Sequence, residues 1–161
     1  MRKLFKAYCI AKKAHKGQKD KGGKPYIKHP VYVAKRVKGK DAKIVALLHD
    51  TIEDTSVTYD YIKSIFGDRI VEAVKVLTKD KNIFYEEYIA KIKQNDLARA
   101  VKIEDLKHNM DLTRLKTVTQ EDSDRIEKYK YALKILNEWF KKAILNKDCF
   151  FIDIELCSKI H

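Results

Sequence analysis

An all-α protein is expected from this sequence, and three observations predict it. Apolar residues recur at helical spacing through most of the chain, with only the tail alternating at a strand's period, and weakly. Five Gly and two Pro leave few breaks. Hydrophobic residues make up 45% of 161 positions, enough to bury one core, so a single helical bundle is expected rather than a sandwich or a disordered chain.

The first helix is expected over residues 4–17, with Leu4, Phe5, Tyr8, Ala11, Ala14 and His15 near one stripe and Gly17 at its end. His15 reads there as a packed, hydrogen-bonded residue rather than a ligand. Lys19 to Tyr26, with paired glycines and Pro25, is a loop whose lysines suit a phosphate as well as plain solvent. Pro30 falls in the first turn of a short helix carrying Val31, Val33, Ala34 and Val37, where its missing N–H does no harm. Gly39 and Asp41 separate that helix from the next.

Thr58 is placed to cap a helix burying Tyr61, Ile62, Ile65 and Phe66, and Gly67 stops it. Asp68 is expected to cap a further helix through Ile70, Val71, Val74 and Leu77. Residues 84–93 continue the pattern, and residues 96–110 form another helix in which Leu97, Val101 and Asp105 stack one turn apart. That stacking aims a carboxylate at the buried side, where it requires a partner.

A polar stretch, Thr117 to Asp124, leads to a long helix over about 123–144 with Ile126, Tyr129, Ala132, Leu133, Leu136, Trp139 and Phe140 on its inner face. The expected division is one domain over residues 1–145 and a tail, 146–161, forming a short strand or helix.

Composition narrows the function. Cys9, Cys149 and Cys157 support neither a disulfide framework nor a Cys-based zinc site, which suits a reducing compartment. Lysines interrupt the N-terminal stretch before any apolar signal core forms, and no run approaches the ~20 apolar residues of a membrane span. A soluble, cytoplasmic protein without a membrane partner is expected. Thirty-five Lys and Arg against 23 Asp and Glu give a net charge of +12, which attracts anions without choosing among nucleotides, nucleic acid and acidic lipid.

The most informative stretch is Ile44-Val45-Ala46-Leu47-Leu48-His49-Asp50-Thr51-Ile52-Glu53-Asp54. On a continuous helix His49 lies one turn from Glu53, and Asp50 one turn from Asp54, forming a single polar face. A divalent cation would make such a face tolerable to bury. Imidazole with carboxylate suits manganese, iron or zinc, and a spare carboxylate pair beside the ligands suits hydrolysis. The plainer reading is a helix end running into a solvated acidic loop.

Three motifs in order decide between these readings: Gly-Gly-Lys-Pro-Tyr-Ile-Lys-His29-Pro, Ala-Leu-Leu-His49-Asp50-Thr-Ile-Glu53-Asp54-Thr, and Val-Lys-Ile-Glu-Asp105-Leu-Lys-His-Asn109-Met. Over roughly residues 4–140 the chain resembles the HD-domain hydrolases of the RelA/SpoT type, and in size it is similar to their small stand-alone (p)ppGpp hydrolases. The resemblance implies a helical HD-domain bundle with a divalent metal in its core. Its implied ligands are His29, His49, Asp50 and Asp105, and its usual metal is manganese, with other divalent ions possible.

Glu53 and Asp54 match the catalytic pair that orients or deprotonates the attacking water. The implied reaction removes the 3′-pyrophosphate of ppGpp or pppGpp, giving GDP or GTP. Lys21 would approach the phosphates and Asn109 the nucleoside, with Arg125 and Tyr129 as further substrate contacts. The implied partner is a small nucleotide rather than nucleic acid, and the oligomeric state is open.

Two of the motifs depart from the family's pattern. Asp20-Lys21 stands where Arg-Lys is usual, and Glu-Asp-Leu-Lys-His-Asn where Ala-Asp-Arg-Leu-His-Asn is usual. Asp can neither stack on a purine nor attract phosphates. A competing reading is therefore a phosphohydrolase of another nucleotide or phosphate ester, and the +12 charge motivates a second, a basic nucleic-acid-binding or regulatory module whose site is structural.

Overall fold

The computed structural model describes residues 2–115 and 117–157, with side chains described as far as Glu138. Its helices are α1 (Arg2–Ala14), α2 (Lys28–Arg36), α3 (Lys40–Leu48), α4 (Thr51–Asp54), α5 (Tyr59–Phe66), α6 (Asp68–Leu77), α7 (Tyr85–Gln94), α8 (Asp96–Asn109) and α9 (Gln120–Cys157). A 3-10 turn, Leu112–Arg114, joins the last two. Among the described residues there is no strand, only an isolated bridge between Lys19 and Pro25, so the all-α expectation holds.

Helix α3 is apolar on nearly every side, with Ala42 and all of Ile44 to Leu48 buried. A helix of that kind belongs in the middle of a bundle. Helices α1, α2, α6 and α8 pack around it. The small residues Ala7 and Ala11 on α1, both fully buried, let that helix approach closely. Val33, Ile62, Val74, Ile92, Val101 and Leu136 from six other helices complete the core. Truncating any one of the larger of these to Ala would cost about 2–5 kcal/mol.

Most boundaries follow the sequence, with informative exceptions. α1 ends at Ala14, before Gly17, whose φ of +83° reverses the chain. Phe5, expected on the buried stripe, is 67% exposed. The Thr58 hydroxyl accepts the Tyr61 N–H at 3.3 Å and caps α5 as expected, yet Tyr61 itself is exposed while Ile62 and Phe66 are buried. Gly67, with φ of +88°, occupies the cap position of α6. Asp68 is the first residue inside that helix, and its carboxylate pairs with Lys63 at 2.7 Å.

α9 begins before residue 123 and continues unbroken past residue 145 to Cys157, so residues 146–157 of the stretch expected as a short strand or helix are part of one long helix, and the rest of that stretch lies outside the described residues. Ala132 and Leu136 are fully buried against the bundle, where α9 meets α7 and α8, and Ile126, Tyr129 and Leu133 are half-buried. The side chains of Trp139 and Phe140 lie outside the described residues.

Candidate metal centre and adjoining cavities

The helix carrying the central motif does not run straight through it. α3 stops at Leu48, His49 and Asp50 form a turn, and α4 restarts at Thr51. The cause is local. The Thr51 hydroxyl donates to the Leu48 carbonyl at 2.7 Å, and His49 Nδ1 bonds the Ala46 carbonyl at 2.7 Å, so side chains compete for the last turn of α3. The Asp54 N–H still reaches the Asp50 carbonyl at 3.0 Å. The outcome is not one continuous face: His49 is buried, whereas Glu53 and Asp54 are exposed.

Three elements bring the ligand-type residues together. His29 comes from the first turn of α2, His49 and Asp50 from the turn after α3, and Asp105 from the buried stripe of α8. His29 Nε2 lies 3.1 Å from Asp105 Oδ1 and 3.6 Å from Asp50 Oδ2. His49 Nε2 lies 3.1 Å from Asp50 Oδ2 and 3.8 Å from Asp105 Oδ1. Ligand atoms of His29, His49 and Asp105 fall within 4.8 Å of one another, and all three residues are buried. His15, also buried, stays apart from this cluster, bonding Gln18 Oε1 through Nδ1 at 2.7 Å.

A second partner fixes each of these side chains. The His49 bond to the Ala46 carbonyl orients its ring and leaves Nε2 for the cluster. His29 Nδ1 meets His108 Nδ1 at 2.7 Å. Burial, Arg114 and His29 push His108 down to about 4, so His108 is neutral. Tyr26 donates to Asp50 Oδ2 at 2.7 Å, Asn109 Nδ2 to Asp105 Oδ1 at 2.6 Å, and Lys102 Nζ to Asp105 Oδ2 at 2.9 Å. Periodicity gave no sign of Tyr26, Lys102 or His108, although Lys102 and His108 each lie three positions from Asp105, one helical turn away.

Electrostatics favour a cation here. Burial works against charge on His49, but Asp50 and Asp105 outweigh it and hold the imidazole up to about 9. Burial likewise opposes ionisation of Asp105, and Lys102, His29 and His49 overcome it, holding that carboxyl well below the usual range. His49 Nε2 is buried and makes no hydrogen bond despite its carboxylate neighbours. Two imidazoles, two carboxylates and an orphaned buried nitrogen fit a divalent metal, which would take the place of the His49 proton.

Two cavities adjoin at His29, and one of them takes in the whole cluster. The larger, about 410 Å³, is lined by His29, His49, Asp50, Asp105, Glu53 and Asp54 and also by Lys79, Lys102, Lys128 and Arg125. Glu53 Oε2 accepts the Lys79 backbone N–H at 3.1 Å. The Asp54 carboxyl is held above the ordinary range by its burial and then by Asp50 and Glu53. The smaller cavity, about 260 Å³, lies between the loop after α1 and the 3-10 turn, and shares Tyr26, His29, Asn109, Arg125 and Tyr129 with the larger.

The remaining expected site residues are thus gathered at these cavities. Asn109, Arg125 and Tyr129 line both, and Lys21 lines the smaller. Lys21, 64% exposed, pairs with Asp122 at 3.3 Å, and Arg125 pairs with the same carboxylate at 2.7 Å.

Comparison with known proteins bears directly on this arrangement. A profile described as the HD domain matches residues 7–131. The chain belongs to the HD-domain family. Among similar proteins, the guanosine-3′,5′-bis(diphosphate) 3′-pyrophosphohydrolase of Aquifex aeolicus is 47% identical over 87 residues, covering 52% of this HD-domain chain and 12% of that protein. The bifunctional (p)ppGpp synthase/hydrolase SpoT of Escherichia coli is 34% identical over 125 residues, covering 68% of this chain and 18% of that protein. The chain therefore spans less than a fifth of the length of these relatives.

A solved structure, described as a metazoan ortholog of SpoT that hydrolyzes ppGpp, superposes with a TM-score of 0.68 at 22% identity, covering 89% of this chain and 96% of that one. It shows that the HD-domain fold is shared over nearly the whole length.

Proposed function

We propose that this HD-domain protein is a divalent-metal-dependent hydrolase that removes the 3′-pyrophosphate from guanosine 3′,5′-bis(diphosphate) and its triphosphate analogue, giving GDP or GTP and pyrophosphate. One observation carries the reading: a cation-lined cavity takes in His29, His49, Asp50 and Asp105, and a nucleoside-sized cavity adjoins it through His29, Tyr26, Asn109, Arg125 and Tyr129. The names of the Aquifex and Escherichia relatives support the substrate.

Manganese is the metal proposed for the site, held by those four residues. When bound, it supplies Lewis acidity that draws charge from phosphoryl oxygens and lowers the pKa of water. The protein's own groups do the rest. Asn109, Tyr129 and Arg125 at the junction position the nucleoside, while Lys21 at the mouth attracts the phosphates.

Lys79 and Lys128 line the larger cavity and would balance the charge of a 3′-pyrophosphate held there. Glu53, oriented by the Lys79 N–H, and Asp54, whose raised pKa suits proton transfer, orient and deprotonate the water. The water oxygen bonds to the phosphorus attached to the ribose 3′ oxygen. That P–O bond breaks, pyrophosphate departs, and a proton returns to the 3′ oxygen.

Among the described residues no helix is long and apolar enough to cross a membrane, and the cytoplasm is the proposed location. Residues 1–145 are proposed as the catalytic domain, and 146–161 as a tail. The test is pyrophosphate release from guanosine 3′,5′-bis(diphosphate) by the purified, manganese-loaded protein. Turnover that EDTA abolishes supports the reading, and no turnover with any divalent metal rejects it.

A further inference from the structure

Asp20 and Arg114 stand outside the chemistry above, yet they form a charged pair in the wall of the smaller cavity. Arg114 Nη2 donates to Asp20 Oδ2 at 2.9 Å, and Nη1 donates to the His108 carbonyl at 3.0 Å and lies 3.1 Å from His108 Nδ1. Asp20 Oδ1 in turn accepts the Lys24 N–H at 2.8 Å. The backbone closes the joint: a Cβ on Gly22 would collide with the Arg114 carbonyl oxygen, so only glycine lets the loop sit this close. The two side chains are 8% and 18% exposed, and both line the cavity.

This geometry changes what Asp20 does. Its charge is spent on Arg114, so it does not oppose an incoming phosphate. Arg114 is held as a fixed plane rather than a flexible cation. A guanidinium carries five N–H donors, and the three bonds named above leave donors for a ligand in the cavity. A guanine offers two acceptors, O6 and N7, on one edge, whereas adenine places an amino donor where O6 would be.

We propose that Arg114 is the specificity-determining residue for the nucleobase, selecting guanine over adenine by donating to the O6/N7 edge, and that Asp20 is a positioning residue that sets the guanidinium plane. The proposal rests on the functional reading above, but its test separates the two.

Steady-state kcat and KM are measured with manganese for guanosine and adenosine 3′,5′-bis(diphosphate), using wild type, Arg114→Ala, Arg114→Lys and Asp20→Asn. Thermal melts and metal content are recorded alongside. Wild type is expected to favour guanosine by roughly tenfold or more in kcat/KM, within the range of one bidentate base contact. Arg114→Ala removes that preference, chiefly by raising KM for the guanosine substrate. Arg114→Lys keeps the charge without the planar fork and does not restore it. Asp20→Asn gives an intermediate preference.

An unchanged preference in folded Arg114→Ala overturns the proposal. If that variant does not fold, unchanged preference in both Arg114→Lys and Asp20→Asn overturns it. If wild type hydrolyses neither substrate, the functional reading fails on its own. Calorimetric binding of GDP against ADP then decides the base claim: Arg114-dependent selection of GDP upholds it, and equal binding overturns it.

Discussion

Tyr26 donates its hydroxyl proton to Asp50 Oδ2 at 2.7 Å, tying the loop after α1 to a carboxylate of the His/Asp cluster. Burial, followed by Asp50, raises the Tyr26 phenol far above its ordinary range, so it stays a donor at every working pH. Partners of this kind hold a ligand's orientation without touching the metal. Tyr26→Phe is therefore expected to weaken metal binding by about tenfold or more while leaving the fold intact, as read by metal titration and a thermal melt.

Lys102 and Asp105 are a buried ion pair, and breaking such a pair leaves a charge without its partner. Asp105→Ala is expected to destabilise the protein by about 3 kcal/mol or more, measured by urea unfolding. Lys102→Met with Asp105→Leu should recover part of that loss, because no lysine charge is left without its carboxylate, while His29, His49 and Asn109 still lose theirs. Neither variant should hold metal. Destabilisation by the single change that the double change does not relieve would argue against the pairing.

The carboxylates on α4 lie apart from the buried His/Asp cluster, so chemistry and metal binding should separate by mutation. Asp54→Asn and Glu53→Gln are each expected to lower kcat by about a hundredfold or more, the typical contribution of a positioned acid or base. Metal content should stay at the wild-type level. Loss of metal together with activity would instead place these residues among the ligands.

The Asp20 carboxyl titrates below the ordinary range: burial works to raise it, and Arg114, Lys24 and Gly22 more than offset that. A depressed folded-state pKa means that its stabilisation is fully present above the unfolded value of about 3.9 and fades as pH falls through the lower folded value. Wild type should therefore exceed Asp20→Asn in stability at pH 6, and the gap should close below about pH 4. A gap independent of pH would show that the charge on Asp20 is not what holds the joint.

Much of this was legible in the sequence, for identifiable reasons. α3 is apolar almost all round and α8 places Asp105 on an apolar stripe, so periodicity alone located the centre of the bundle and one buried carboxylate. His29 became legible only through its order relative to the other motifs.

What stayed hidden depends on contacts between distant positions. Asp20 meets Arg114 across 94 positions, and Tyr26 meets Asp50 across 24, neither of which any helical repeat encodes. The break at His49 and Asp50 was hidden for another reason: it arises from side-chain bonds to carbonyls within a run whose propensity is helical throughout. Phe5 and Tyr61 sit on the edges of their apolar stripes, where spacing does not settle exposure.

His29, His49, Asp50 and Asp105 are expected to hold a single divalent cation between them. Calorimetric titration of manganese into the metal-free protein tests it most directly, with His49→Ala and Asp50→Ala as comparisons. One ion bound per chain, with binding lost in both variants while their melts remain cooperative, is the predicted result. Undiminished binding in either variant, or no binding to the wild type, would contradict it.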